Sequence, residues 1–152
     1  MKLLNRFVVK GSPSTRTAQQ KGLRVVSGHA QFFEKKEVSL AKAELADKLL
    51  CHVPDEPYKG DIFIRVMWLF CKASLSRKEQ RTFKQTRPDL DNLCKGFLDV
   101  MTDVGFWDDD AQIVKMELQK AWSAQFPGLF VEIWQLEEGD YETEVEGWVR
   151  EE

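Results

Sequence analysis

Apolar residues recur along this chain with two periods, and the period changes where the elements change. In "LDNLCKGFLDVMTDVG" (90–105), Leu90, Leu93, Cys94, Phe97, Leu98, Met101 and Val104 return every three or four residues. That spacing lays one stripe along a helix, and Gly105 is placed to end it. "VSLAKAELADKLLCHV" (38–53) carries Leu40, Ala43, Leu45, Leu49 and Leu50 and predicts a second helix, with Ser39 as its cap. The other periodic segments read as strands. "NRFVVKG" (5–11) is β-branched and closed by Gly11, and "DIFIRVMWLFCKA" (61–73) is apolar enough to be a mostly buried strand. "LRVVSGHAQFFE" (23–34) reads as a broken strand region, with His29 a loop residue after Gly28. "AQIVKMELQKAW" (111–122) and "LFVEIWQL" (129–136) are strand-like around the turn "FPG" (126–128) and predict an antiparallel hairpin. The expected fold is α+β, a mixed β-sheet covered by two main helices in a single domain over 1–136, with an acidic C-terminal tail over 137–152.

Length and composition narrow the class. The chain has 152 residues, 43% of them hydrophobic, so one core can form without disulfides or zinc. No run of 18 apolar residues suggests a membrane span, and the N-terminus lacks a signal-peptide pattern. Cys51, Cys71 and Cys94 have no CxxC spacing, which fits a reducing cytoplasm. With only His29 and His52 available, a histidine-based metal site or a Ser–His–Asp triad is poorly supplied.

The net charge of −3 hides an asymmetry. Residues 137–152 hold eight acids and one base, so the rest carries a balance of +4. Two segments are strongly cationic, 1–36 with eight bases and one acid and 72–87 with six bases and one acid. Such segments are either solvated loops or the footprint of a polyanion. As a phosphodiester-binding surface they offer Arg16, Lys21, Arg77, Lys78, Arg81, Lys84 and Arg87. Phe83, set among these bases, is either a base-stacking ring or a loop anchor.

Against this cationic background the acids are clustered. Asp89 and Asp91 open the second helix in "RPDLDNLCKG". Asp89 alone is an ordinary N-cap, and Asp91 with Lys95 an ordinary i,i+4 pair. "GFWDDDAQI" (105–113) sets Phe106 and Trp107 against Asp108, Asp109 and Asp110. The aromatics can anchor a turn in the core and so fix where the carboxylates point. Converging carboxylates with few histidines suit a hard cation, Mg²⁺ or Mn²⁺, which activates water and stabilises an in-line phosphoryl displacement. Lys95 could stabilise the phosphate as a point charge. Helix geometry leaves open whether Asp110 meets Asp89 and Asp91, because its turn follows the helix's far end.

The segment "RPDLDNLCKGFLDVMTDVGFWDDDAQIVKMELQK" (87–120) resembles the RusA family of Holliday junction resolvases. The resemblance rests on D-L-D-N-L-x-K, an Asp eight after the second Asp, the G-F-W turn and D-D-A-Q-I-V. It implies a homodimer that nicks four-way DNA junctions in symmetric pairs with Mg²⁺ or Mn²⁺. It also implies that Asp89, Asp91 and Asp110 are catalytic, metal-binding acids and that Lys95 is the essential lysine, and Asp109 matches a recurrent acid of the same turn. Asp108 stands where the family commonly has an apolar residue. A related nuclease acting on flaps or forks, and a junction-binding protein without catalysis, are the alternatives.

Overall fold

The computed structural model describes residues 1–17, 21–74 and 81–140. Seven strands and two helices follow one another as β1 (Lys2–Lys10), β2 (Lys21–Val26), β3 (His29–Glu34), α1 (Lys36–Leu49), β4 (Ile62–Cys71), β5 (Arg81–Phe83), α2 (Leu90–Val104), β6 (Ile113–Ser123) and β7 (Gly128–Gln135). Five strands form a mixed sheet in the order β1-β7-β4-β6-β5, and β2 pairs with β3 in a separate hairpin. β4 lies at the centre, parallel to β6 and antiparallel to β7. This is the expected α+β architecture.

β4 is central because it is the most apolar strand. Ile62, Ile64, Val66, Trp68 and Phe70 point to one face and join Leu93, Cys94, Phe97, Val100 and Met101 of α2 in a single core. The helical stripe read from the sequence is therefore the face α2 buries. The opposite face of the sheet is crossed by a charged ladder. Arg6, Glu132, Arg65 and Glu117 lie on four adjacent strands, and each neighbouring pair is bridged.

Three expectations are corrected. β6 and β7 do not form a hairpin, because β4 lies between them. The short link after Ser123 steps across the end of β4, where Cys71 pairs with Ser123 and Leu69 with Gly128. An apolar strand that must be covered on both edges outcompetes the local turn. Ser39 does not cap α1; Lys35 occupies the N-cap position, and the Ser39 hydroxyl donates to the Glu34 carboxylate at 2.8 Å. The basic loop after β4 is not wholly irregular, since Arg81–Phe83 adds an edge strand to β6. The acidic-tail expectation lies mostly outside the described residues; its start is held where the N-terminal ammonium meets Asp140 at 2.6 Å.

α2 ends as its sequence implies. Gly105 takes a left-handed φ of 98°, and its N–H closes on Met101 and Thr102 carbonyls. Phe106 and Trp107 then turn inward and are fully buried. The indole N–H of Trp107 donates to the Thr102 hydroxyl at 2.8 Å, which satisfies its polar atom inside the core. Trp107→Ala should lower the unfolding free energy by about 3–5 kcal/mol. Urea denaturation followed by circular dichroism measures it, and a loss below about 1 kcal/mol would contradict the anchoring role.

Candidate active site

Asp89 stands at the N-cap of α2 with extended backbone (φ −71°, ψ 150°), yet its side chain makes no capping bond. Asp91 follows in the first turn and is also exposed. Neither carboxylate has an ion pair or hydrogen bond among the described residues. The two bland readings therefore fail for separate reasons: Asp89 does not cap, and Asp91 does not pair with Lys95. Lys95 is likewise exposed, one turn along from Asp91.

The three acids after Trp107 divide their work. Asp108 forms an ion pair with Lys59. Asp109 accepts the Ala111 N–H at 2.8 Å and caps the short 3-10 turn Asp110–Gln112. Gln112 completes that turn, its side-chain oxygen accepting the Asp108 N–H at 3.0 Å and its amide donating to the Tyr58 carbonyl at 3.0 Å. Asp110 alone is exposed and unpartnered among the described residues. The sequence ran the three acids together; the structure separates one ion pair, one cap and one free carboxylate.

Asp110 does not lie with Asp89 and Asp91. It shares a hollow with Asp99, Asp103, Asp108 and Asp109, at the C-terminal end of α2. The fourteen-residue step along α2 sets the two ends roughly 20 Å apart at 1.5 Å per residue. Lys42 faces the same hollow and reaches Asp99 at 3.7 Å and Glu34 at 2.9 Å. The hydrogen bond to Glu34 raises the Lys42 pKa above the ordinary lysine value.

The segment before Asp89 is held by two lysines. Lys84 donates to the Thr86 hydroxyl at 2.6 Å, the Thr86 carbonyl at 3.2 Å and the Arg87 carbonyl at 2.5 Å. Lys120, on β6, donates to the Thr86 carbonyl at 3.0 Å and the Pro88 carbonyl at 2.7 Å. The Arg87–Pro88 bond between them is cis. Lys84 is thus turned inward, 4% exposed, with its ammonium 4.3 Å from the centre of the Trp122 ring. Burial, and secondarily the charge of Lys120, lowers its pKa from the ordinary lysine value. Its expected place among the DNA-facing bases is corrected accordingly: the carbonyls and Trp122 claim the ammonium. Lys120 was missed by the sequence reading. Nothing in "AQIVKMELQKAW" signals that the second of its two lysines reaches a loop more than 30 residues earlier.

Of the other cationic candidates, Arg16, Lys21 and Arg87 are exposed, as is Phe83 at 75%. Arg77, Lys78 and the Arg81 side chain lie outside the described residues. Cys94 sits on the buried face of α2, its sulfur 3.8 Å from that of Met116. Burial, with the nearby Asp91 charge, pushes its thiol up to about 11.

The α+β domain thus carries unpartnered carboxylates near both ends of α2, with the exposed Arg87 two residues before Asp89. Residues 10–134 match the family described as endodeoxyribonuclease RusA, and the chain belongs to that family. It is also 32% identical over 120 residues to the crossover junction endodeoxyribonuclease rusA of Lactococcus phage r1t, covering 79% of this chain and 88% of that protein.

Two outcomes are expected from this geometry. At pH 8 only about one part in a thousand of a thiol with such a pKa is thiolate, so iodoacetamide should label Cys51 and Cys71 in the native protein and spare Cys94. Mass spectrometry of the native and unfolded protein checks this, and labelling of Cys94 as fast as Cys51 would refute it. Lys120→Met should slow DNA nicking about 10²-fold through displacement of Asp89, with little change in DNA affinity. Single-turnover rates beside equilibrium binding separate the two effects, and an unaltered rate would refute the clamp.

Proposed function

We propose that this protein is a divalent-metal-dependent endonuclease that resolves four-way DNA junctions by paired nicks, working in the cytoplasm as a homodimer. The observation that carries the reading is the set of unpartnered carboxylates: Asp89, Asp91 and Asp110 keep their oxygens free while neighbouring acids are capped or paired. Family membership supports the nuclease chemistry, and the name of the phage relative suggests the junction substrate. No helix among the described residues is long and apolar enough to cross a membrane.

The donor set fits Mg²⁺, which is usually held by one or two carboxylates and otherwise keeps water and phosphate; Mn²⁺ fits as well. When bound, the ion would activate water and offset the charge on the phosphate under attack. Asp89 and Asp91 would hold it, and Lys95, exposed on their face of α2, would stabilise the phosphate. Exposed Arg16, Lys21 and Arg87 would neutralise the DNA backbone, and Phe83 would stack on an unpaired base.

Asp110 belongs to this site only if a second copy supplies it. Among the described residues of one copy, no group of three His, Cys, Asp or Glu could hold a metal. β6 offers the means of association. β5 covers only Ala121–Ser123, leaving the first part of that edge without a strand partner among the described residues. Val114 and Met116 are exposed there, at 57% and 49%. Two such edges paired antiparallel about a two-fold axis would bring the start of one β6 to the end of the other. The end of β6 lies beside Pro88 through Lys120, so Asp110 of one copy would approach Asp89 and Asp91 of its partner. Two identical sites would result, matching two symmetric nicks.

Asp89→Asn and Asp110→Asn should each abolish nicking of a synthetic junction in Mg²⁺. Mixed after co-refolding, the two variants should recover activity, because a mixed dimer contains one intact site and one doubly altered site. Mn²⁺ binding followed by electron paramagnetic resonance should recover in parallel. Inactive mixtures that bind no Mn²⁺ would refute the shared site. Absence of metal-dependent nicking in the wild type would refute the nuclease reading itself.

A further inference from the structure

A cavity of about 290 Å³ opens between the loop after β1, helix α1 and the first turns of α2. Its floor is apolar, where Trp68 and Phe97 meet edge to face at 5.9 Å. Its rim carries Lys10 and Arg16, exposed and without side-chain partners among the described residues. Four neutral polar residues line it, Ser12, Ser14, Thr17 and Asn92. Thr17 is only 7% exposed, and its hydroxyl has no hydrogen-bond partner among the described residues. The Asn92 amide is equally unpartnered, and Asn92 directly follows Asp91. Gly96, one turn further along α2, leaves the wall open, since a Cβ there would meet nothing within 4 Å.

We propose that this cavity takes a single unstacked nucleobase from the DNA strand next to the nick, and that it sets the sequence preference of cleavage. The inference rests on the nuclease reading above and adds a specificity site to it. The volume lies at the small end of ligand clefts and has room for a single base. The apolar floor suits the faces and edges of a ring removed from its stack. An amide presents a donor and an acceptor to a base edge, and a hydroxyl supplies either. The two rim cations stand where the flanking phosphates would pass. An exposed base at a junction costs less to extrude than a paired one, so a junction enzyme is well placed to use such a pocket.

The test uses four-way junctions with non-hydrolysable methylphosphonate linkages at the mapped nick sites and 2-aminopurine placed singly at each flanking position. Bound to the wild-type protein in Mg²⁺, one position should brighten several-fold as its base leaves the stack. Gly96→Leu, which fills the cavity, should abolish that signal while junction affinity stays within about threefold. On cleavable junctions of varied sequence, Asn92→Ala and Thr17→Val should narrow the spread of nicking rates at least tenfold. These milder changes keep the test decisive if Gly96→Leu does not fold. Nicking without brightening at any position, or an unchanged sequence preference in all three variants, overturns the pocket and leaves the nuclease reading intact. Brightening without metal-dependent nicking of any junction would instead retain the pocket and refute the nuclease reading.

Discussion

A helix is a stiff rod, and the length of α2 sets how far apart the acids at its two ends lie. α2 holds Asp89 and Asp91 at one end and leads to Asp110 at the other. The core beneath it forbids any bend that would close the gap, because Leu93, Phe97, Val100 and Met101 are all buried against β4. The spacing that makes α2 a good core helix is the same spacing that divides the acids. In the dimer we propose, a site shared between two copies would reconcile a rigid core with converging carboxylates, and a two-fold arrangement would supply the pair of sites that symmetric nicking needs.

Each end of α2 is then fixed by a different kind of interaction. At the start, the ammonium groups of Lys84 and Lys120 bind the carbonyls of Thr86, Arg87 and Pro88, so the backbone reaches Asp89 in one conformation. This leaves the Asp89 side chain free of the capping duty its position invites. At the far end, Phe106 and Trp107 occupy the core and Gln112 ties the turn to the segment before β4. The acids are exposed because the residues beside them are not. Burial is favourable for the aromatics and costs only Lys84, whose ammonium is met by carbonyls and a hydroxyl, while the carboxylates stay exposed.

α2 and the buried strand β4 were legible because their apolar periods are long and match what they bury; α1 was legible as a helix, yet Leu40, Ala43 and Leu50 of its expected stripe are exposed and it buries Val38 and Leu49. The family was legible through the density of the motif between Arg87 and Lys120. Sheet order was not, since pairing of β6 with β4 is decided by which strand is most apolar rather than by the turn between β6 and β7. Nor was the inward turn of Lys84. A lysine among bases looks solvated in sequence, and only the fold shows it lying over Trp122 beneath three acceptors. The division of labour among Asp108, Asp109 and Asp110 depended on Lys59 and Ala111, which no spacing rule connects to them.

The most direct measurement is the anomalous scattering of Mn²⁺ in crystals of the protein. The account predicts density between Asp89 and Asp91 of one copy and Asp110 of a two-fold partner. Density confined to the hollow of Asp99, Asp103 and Asp110 within a single copy would contradict it.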